Sequence, residues 1–419
     1  MWVNLSPSAR VRVGFNRKQP TMQDLVCISH LRWGFVWQRP QHLLSRLAQH
    51  YRVLFVEEPM TNIEVSQPQF ATYVGHTHNG AALTLACLQV PATQHYWIGH
   101  NDPATQTLYE QMLLDYLAKE EYRDPILWLY TPMASAFEKS IPHKLLIYDV
   151  MDELSAFKGA PTALKEQDKQ LLQKADIVFT GGASLYRSRL PHNTNTHLFP
   201  SGVEIDHFAK AVREPLPRPA DLANVAAPTL GYFGVVDERM DLPLLTHLAT
   251  AHPEWNIVMV GPVVKIDPAD LPQAPNLHFV GMKDYKELPA YLAHFDVALV
   301  PFAMNEATRF LSPTKTLEYL AAHKPVVSTP IPDVIELYGD YVRVGHTPEE
   351  FVTHVEAILA ENPQVRAARK TREQKLLTQN SWDNIAHRMY EIIEASLAAN
   401  NASTPERKAA AKPVAVEQV

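Results

Sequence analysis

Residues 296–329, DVALVPFAMNEATRFLSPTKTLEYLAAHKPVVST, decide the fold of the second half of this chain. Two short apolar runs of strand length enclose a segment in which Leu317 and Leu320 recur at helical spacing. Ser312 suits the N-cap and Pro313 the first helical position, so a helix is predicted to begin near Ser312. The unit is therefore strand, loop, helix and strand, which is the building block of a parallel sheet.

The same alternation extends along the chain in both directions. The predicted strands are 24–29, 52–57, 126–130, 145–150, 176–180 and 196–200, followed by 229–234, 256–261, 277–281, 296–302, 325–329 and 341–345. This pattern predicts an α/β chain with two tandem Rossmann-like, doubly wound domains that face a cleft. Ligands of such sheets bind at the carboxyl ends of the strands, so the functional site is expected in the cleft.

Composition and pattern suggest where the domains begin and end. We predict an N-terminal extension (1–20), a first Rossmann-like domain (21–210), a Pro/Ala-rich linker (211–228), a second domain (229–380), a final helix (381–398) and a disordered tail (399–419).

Global composition narrows the classes of function. The chain has 419 residues, is 46% apolar and carries a net charge of −7 without a long basic run, which disfavours nucleic acid as the partner. Its two cysteines, Cys27 and Cys87, are too few for a disulfide framework or a structural zinc site. A reducing cytoplasm is expected, with peripheral contact to the inner face of a membrane as an addition.

Lys315 lies in the predicted first helical turn, where the positive end of the helix dipole makes a cation unfavourable by about 0.3–1 kcal/mol. A bound diphosphate would accept the free backbone N–H groups and pair with Lys315. Glu318, one turn further, would then accept hydrogen bonds from ribose hydroxyls. The alternative is a surface Lys315–Glu318 ion pair worth about 0.2–0.5 kcal/mol.

Four segments resemble one family. SPTKTLEYLAAHKPVVST (312–329) and GYFGVVDERMDLPLL (231–245) resemble the nucleotide-sugar half of GT-B glycosyltransferases of family four, also called group one. Segments 23–59 and 147–159 resemble the matching first half. The resemblance covers about residues 20 to 398, and it implies a first domain for the acceptor, a second for the donor, and a final helix that crosses back to the first domain.

The resemblance implies a retaining glycosyltransferase. It would move a sugar from a UDP- or GDP-linked donor to a glycan or lipid-linked acceptor in surface polysaccharide synthesis, without a further cofactor. In this family a glutamate matching Glu318 holds the ribose, a basic residue near Arg239 contacts the diphosphate, and a glycine matching Gly234 lets the phosphates approach. Three family positions differ. The first glutamate is Phe310 here, with Glu306 nearby but out of register, and the arginine after the glycine is Val235. The histidine at the end of a first-domain strand has no match in LYTPMAS (129–135). The expected donor-binding residues are Gly234, Arg239, Ser312, Thr314, Lys315 and Glu318.

Glycosyl transfer requires stabilisation of the negative charge that develops on the leaving phosphate. The sequence has no Asp-x-Asp pair and no HExxH motif, so no metal is predicted. Arg239, Lys315 and the helix dipole would serve instead. Asp149 and Asp152 lie at the end of a strand, and one of them is a candidate base for the acceptor proton, with a salt bridge or loop cap as the alternative.

The loop after the first strand is the candidate acceptor surface. Trp33 and Trp37 would stack on a sugar ring, while Arg39 and His42 would face the cleft. The alternatives are that the tryptophans pack in the core or a lid, and that Arg39 only starts a helix.

Two other functions fit a two-lobed scaffold of this kind. A non-hydrolysing nucleotide-sugar epimerase would convert its substrate without an acceptor. A non-catalytic nucleotide-sugar-binding or scaffold protein is favoured by the absence of the first family glutamate, at Phe310, and of the family histidine. A dehydrogenase is disfavoured because neither half has a glycine fingerprint.

Overall fold

The computed structural model describes residues 22–34, 37–75, 77, 80–94, 98–156, 160–306 and 308–410. The predicted N-terminal extension and the last nine residues of the predicted tail lie outside the described residues.

The first domain is built around a nine-stranded sheet whose order is β3-β5-β2-β1-β6-β7-β8-β9, with β4 paired to β5. Its elements are β1 (Gln23–Ile28), α1 (Arg39–Leu47), β2 (Tyr51–Val56), β3 (Met60–Asn62), β4 (Gln69–Gly75), β5 (Leu83–Pro91), α2 (Gln106–Lys119), β6 (Ile126–Leu129), α3 (Ser135–Glu138), β7 (Leu145–Val150), α4 (Leu164–Lys174), β8 (Ile177–Thr180), α5 (Ala183–Arg189) and β9 (Thr196–Leu198).

The sequence did not predict β3, β4 and β5. β4 pairs antiparallel with β5 at one side of the sheet, and most of its residues are exposed or half-buried. It therefore lacks the continuous apolar run by which the parallel central strands are recognised.

The second domain contains a six-stranded parallel sheet in the order β12-β11-β10-β13-β14-β15. Its elements are α6 (Ile205–Arg213), β10 (Thr229–Phe233), α7 (Leu242–Ala251), β11 (Asn256–Val260), β12 (Leu277–Gly281), α8 (Leu288–Ala293), β13 (Val297–Val300), α9 (Lys315–Ala321), β14 (Val326–Ser328), α10 (Pro332–Tyr338), β15 (Arg343–Val344), α11 (Pro348–Leu359) and α12 (Pro363–Gln379). The strand order reverses between β10 and β13, which is where a doubly wound sheet binds its ligand.

The predicted fold class is confirmed, and each predicted strand is present with ends that differ by at most two residues. The apolar runs locate these strands because most of their side chains are buried between covering helices.

Segment 211–228, predicted as a linker, packs on the second domain. Helix α6 ends at Arg213, and Ala211, Leu222 and Val225 are buried in the core of the second sheet.

The chain passes between the domains at two adjacent points. The N–H of Val203 donates to the carbonyl of Asn380 (3.0 Å), and the N–H of Trp382 donates to the carbonyl of Val203 (3.3 Å). Helix α13 (Trp382–Ala410) then packs on the first domain, where its apolar side chains, Met389 among them, join the core. Residues 399–410, expected to be part of a disordered tail, continue helix α13 in the structure. Among the described residues, no helix has the length and apolar character needed to span a bilayer.

Candidate functional site

Gly234 directly follows β10, at the switch point of the second sheet. Its φ is 137°, a conformation that favours glycine, and its N–H donates to the carbonyl of Val260 (2.8 Å). A Cβ at this position would lie 2.9 Å from Cε of Lys315 and 2.8 Å from the hydroxyl of Tyr232. Gly234 therefore leaves the space that the side chain of Lys315 occupies.

Helix α9 begins at Lys315, so the prediction of a start near Ser312 is wrong. Thr314 is the residue before the helix; it has helical angles (φ −56°, ψ −35°), and its side chain makes no capping hydrogen bond. The N–H of Thr316 donates to the carbonyl of Pro313 (3.2 Å), so the chain turns tightly just ahead of the helix. Ser312 instead lies against the first domain, since a Cβ built on Gly182 would be 2.9 Å from that of Ser312.

The side chain of Lys315 rests on two aromatic rings. Its Nζ lies 5.5 Å from the ring centre of Tyr232 and 5.3 Å from that of Phe302, within cation–π range. Burial lowers the pKa of Lys315 to about 8, and the charge of Glu318 acts in the opposite direction. Among the described residues, no carboxylate oxygen lies within 4 Å of this ammonium group. The predicted alternative of a surface ion pair with Glu318 is therefore not what the structure shows.

Glu318 is half-buried one turn along α9. Burial raises its pKa to about 7, the charge of Lys315 lowers it, and that of Glu204 raises it. Tyr285 lies in the same region. Burial raises the pKa of its hydroxyl most, and the charges of Glu318 and Glu204 raise it further. This side of the cleft therefore holds carboxylates and a phenol that suit hydroxyl-bearing ligands.

Arg239 is held by Asp237, which is only 5% exposed. The Nε of Arg239 donates to both carboxylate oxygens (2.9 and 3.1 Å), and NH2 donates to Oδ2 (2.6 Å). The guanidinium group faces Asp152 of the first domain. Burial raises the pKa of Asp152, and the charge of Arg239 lowers it. Together they border an interdomain cavity of about 30 Å³ lined by Asp152, Glu153, Ala156, Arg239, Glu306, Phe310 and Leu311.

Asp149 and Arg39, predicted as base and cleft residue, form a buried pair away from this cavity. Asp149 is 0% and Arg39 is 2% exposed. Arg39 NH2 lies 2.9 Å from Asp149 Oδ1, and NH1 donates to the carbonyl of Phe199 (2.7 Å). Burial raises the pKa of Asp149 and the guanidinium lowers it. The pair fastens α1 to β7, as the salt-bridge and helix-start alternatives predicted, so the catalytic and acceptor assignments of these two residues are wrong.

The remaining candidate acceptor residues pack inside the first domain. Trp33 is 6% exposed and meets Trp37 edge-on, with ring centres 5.7 Å apart. His42 stacks on Trp382 of the returning helix (4.6 Å, 10°) and accepts a hydrogen bond from Trp37 Nε1 at Nδ1 (3.2 Å). The alternative of core packing thus describes the tryptophans, and none of these side chains lines the interdomain cavity.

Sequence reasoning missed Asp237, Tyr232 and Phe302. A carboxylate two positions before an arginine in a loop is a signal for Asp237, because Asp commonly bonds the chain two residues on. Tyr232 and Phe302 belong to predicted strand segments, and only the sheet order brings them together beneath Lys315.

The described residues contain no group of three or more His, Cys, Asp or Glu side chains that could hold a metal ion.

Sequence comparison gives two results. Residues 227–361 match the family model described as Glycosyl transferases group 1. One relative is TuaH of Bacillus subtilis (strain 168), whose name describes a teichuronic acid biosynthesis glycosyltransferase. It is 26% identical to this chain over 209 residues, which are 48% of this chain and 52% of TuaH. The chain thus spans about half the length of the curated relative it matches.

Solved structures show the same fold at low identity. Sucrose-phosphate synthase from Thermosynechococcus elongatus has a TM-score of 0.64 at 16% identity, covering 90% of this chain and 100% of that one. A trehalose-6-phosphate protein from E. coli, bound with UDP-2-fluoro glucose, has a TM-score of 0.64 at 15% identity, covering 89% and 99%. Anabaena HepE, in complex with UDP and glucose, has a TM-score of 0.60 at 15% identity, also covering 89% and 99%. The chain has the GT-B fold, and residues 227–361 of its second domain match the model of the group 1 glycosyltransferases.

Proposed function

We propose that this protein transfers a sugar from a nucleotide-diphosphate donor to a glycan or lipid-linked acceptor, with retention of the anomeric configuration and without a metal ion. The observation that carries the proposal is the position of Lys315, an ammonium group on two aromatic rings at the switch point of the group 1 domain. An ammonium group in that position suits a ligand diphosphate.

Charge complementarity supports the donor site. Breaking the glycosidic bond to the diphosphate leaves negative charge on phosphate, which fixed cations stabilise best in a partly desolvated cleft. Lys315 and Arg239 would supply those cations. Gly234 gives the lysine room beside the strand end, and Glu318 would accept hydrogen bonds from the ribose hydroxyls.

Asp152 is our candidate for the group that receives the acceptor proton. It lines the cavity opposite Arg239, whereas Asp149 is committed to its arginine partner. Burial raises the pKa of Asp152, which moves a carboxylate toward the range where it accepts and returns a proton.

The comparisons support a donor class and a pathway class. HepE was solved with UDP and glucose and the E. coli protein with UDP-2-fluoro glucose, which favours a uridine diphosphate sugar over a GDP-linked one. The name of TuaH favours a cell-surface polysaccharide as the product. We place the reaction in the cytoplasm, with the chain in peripheral contact with the membrane that carries a lipid-linked acceptor.

A thermal-shift panel tests the donor site. UDP, GDP, ADP, dTDP and their sugar conjugates are added in EDTA to wild type, Glu318→Ala and a control, Glu391→Ala on the exposed face of α13. A ligand at 100 times its Kd stabilises the native state by about 2.7 kcal/mol, which is about 5–10 °C for a domain of roughly 150–250 residues. We expect a shift with one base that persists in EDTA, is lost in Glu318→Ala and remains in Glu391→Ala. The absence of a shift with any nucleotide would refute the proposal.

A second function, nucleotide-sugar binding without transfer, is favoured by Phe310. Its ring stands where the family has a glutamate, and it packs against the core of the first domain. Mass analysis of products across an acceptor panel separates the two functions, because a binding protein would shift in melting temperature and yield no glycoside.

A further inference from the structure

The N-terminus of helix α5 in the first domain is capped by a side chain of the second domain. The N–H of Ala183 donates to Oδ2 of Asp333 (2.9 Å), and the N–H of Ser184 donates to Oδ1 (2.8 Å). These are the first residues of α5, whose amides have no partner within the helix. Asp333 is 0% exposed, so both carboxylate oxygens are committed to this contact inside the protein.

The backbone approaches closely at the same point. Gly182 is extended, with φ −165°, so its backbone angles do not require glycine. A Cβ at Gly182 would nevertheless overlap Oδ2 of Asp333 and would lie 2.9 Å from Cβ of Ser312. The absence of a side chain at Gly182 is therefore what lets Asp333 reach the helix.

Two further contacts join the domains across the same cleft. Arg187 of α5 forms an ion pair with Glu336 of α10. Phe310, in the loop before α9, packs against the core of the first domain. These contacts are noncovalent, whereas the crossing points at Val203 and Trp382 join the domains through the chain itself.

The interdomain cavity lies beside these contacts. It is lined by Phe310 and Leu311, which directly precede Ser312, and Ser312 lies against Gly182. The contacts of Asp333 and the cavity therefore belong to the same part of the cleft.

We propose that Asp333 is an interdomain latch that holds α5 of the first domain against the second domain, and that the cleft opens wider when Asp333 releases α5. The latch stands on the contacts of Asp333 and Gly182 and does not depend on which nucleotide or sugar the cleft binds. A hydrogen bond to a charged group contributes more than a typical neutral one, and the latch has two such bonds in a site without solvent.

The test measures the distance between the domains without ligand. Cys27 and Cys87 are buried, so dyes attach selectively to cysteines introduced at the exposed Gln170 and Gln273, one in each domain. Single-molecule energy transfer then gives the distance distribution of the full chain.

Three variants are compared in that labelled background. Asp333→Ala removes both hydrogen-bond acceptors. Gly182→Ala, made in the first domain, pushes the carboxylate of Asp333 away from α5. Asp340→Ala is a control that changes an exposed aspartate seven positions after Asp333. We expect both latch variants to raise the population of the long-distance state at least about tenfold, and the control to match wild type.

The proposal is overturned if folded Asp333→Ala and Gly182→Ala keep the wild-type distribution, or if wild type itself is mostly in the long-distance state. Circular dichroism establishes folding, and if Asp333→Ala does not fold, Gly182→Ala decides the outcome, since it keeps the Asp333 side chain and only blocks its approach to α5.

Discussion

Lys315→Met should stabilise the protein while weakening its affinity for nucleotides. Burial lowers the pKa of Lys315 from 10.5 to about 8, so the folded state disfavours the ammonium form. At 1.36 kcal/mol per pKa unit, and reduced for the remaining exposure of the side chain, this is about 1–2 kcal/mol of destabilisation at pH 7. Methionine has a similar length and would pack on Tyr232 and Phe302 without that cost.

The same change should weaken nucleoside diphosphate binding. A charge-assisted hydrogen bond from the ammonium group to phosphate is worth about 1.5–3 kcal/mol, so the dissociation constant should rise about 10- to 100-fold. Opposite signs for stability and binding are expected only of a residue that is held in place for a ligand.

The pH dependence follows from the direction of the shift. Because the folded-state pKa is the lower one, the unfolded chain binds more protons between about pH 8 and 10.5, and the stability contributed by this group rises with pH in that window. Affinity for a diphosphate should fall as pH rises through about 8, since the free protein loses the charge. Lys315→Met should remove both dependences.

Thermal unfolding and isothermal titration calorimetry with UDP from pH 7 to 10 measure these effects. The expected gain in melting temperature is about 2–8 °C. Lys324→Met is the matched control: burial also lowers the pKa of Lys324 to about 8, but its Nζ donates to the carbonyls of Ala293 (3.0 Å) and Phe295 (2.8 Å). It should lose stability and keep its UDP affinity. The reasoning would be refuted if Lys315→Met melted lower than wild type and bound UDP equally well.

Three further predictions concern the folded framework. Gly234→Ala should lower the free energy of unfolding by about 1–3 kcal/mol through strain at positive φ, and it should also weaken UDP binding. Gly80 also has positive φ but has open space around it, so Gly80→Ala should leave UDP binding unchanged. Equal losses of UDP affinity in calorimetry would contradict this. Asp149→Ala should cost about 3–5 kcal/mol in denaturant unfolding because it leaves Arg39 buried without its carboxylate, and a loss below 1 kcal/mol would show that the pair is dispensable. Met389→Ala on α13 should lower the free energy of unfolding by about 2–5 kcal/mol and reduce hydrogen-exchange protection in the first sheet, whose core Met389 joins. If protection fell only in the second sheet, the helix would dock differently.

The sequence predicted the sheets well because the parallel strands are buried on both faces and appear as apolar runs. It missed β3 to β5, which lie at one side of the first sheet and include an antiparallel pair. It also placed the start of α9 three residues early, because Ser312 and Pro313 satisfy local helix-start rules. Ser312 is instead drawn against Gly182 of the other domain, and a contact 130 residues away in sequence leaves no local signal.

Individual site residues were harder to predict than the cleft itself. A charged residue that follows a strand is equally compatible with a cleft position and with a buried pair, as Asp149 and Asp152 show. Asp149 points to an arginine on α1, 110 positions away, while Asp152, only three residues later, borders the cavity. The choice between them depends on three-dimensional packing that the spacing of the residues does not encode.

The pair Lys315 and Glu318 gives a physical reason to regard the cleft as a binding site. They lie at i,i+3 on one helix, and an ion pair between them would relieve part of the cost of burying each charge. In the described residues no carboxylate oxygen of Glu318 lies within 4 Å of the ammonium nitrogen of Lys315, and burial moves their pKa values toward each other, to about 8 and about 7. Packing alone would be served better by two apolar side chains, because a half-buried charge without a close partner lowers stability. A ligand with an anionic group at the lysine and hydroxyl groups at the glutamate would satisfy both residues, and a nucleoside diphosphate carries those two groups next to each other.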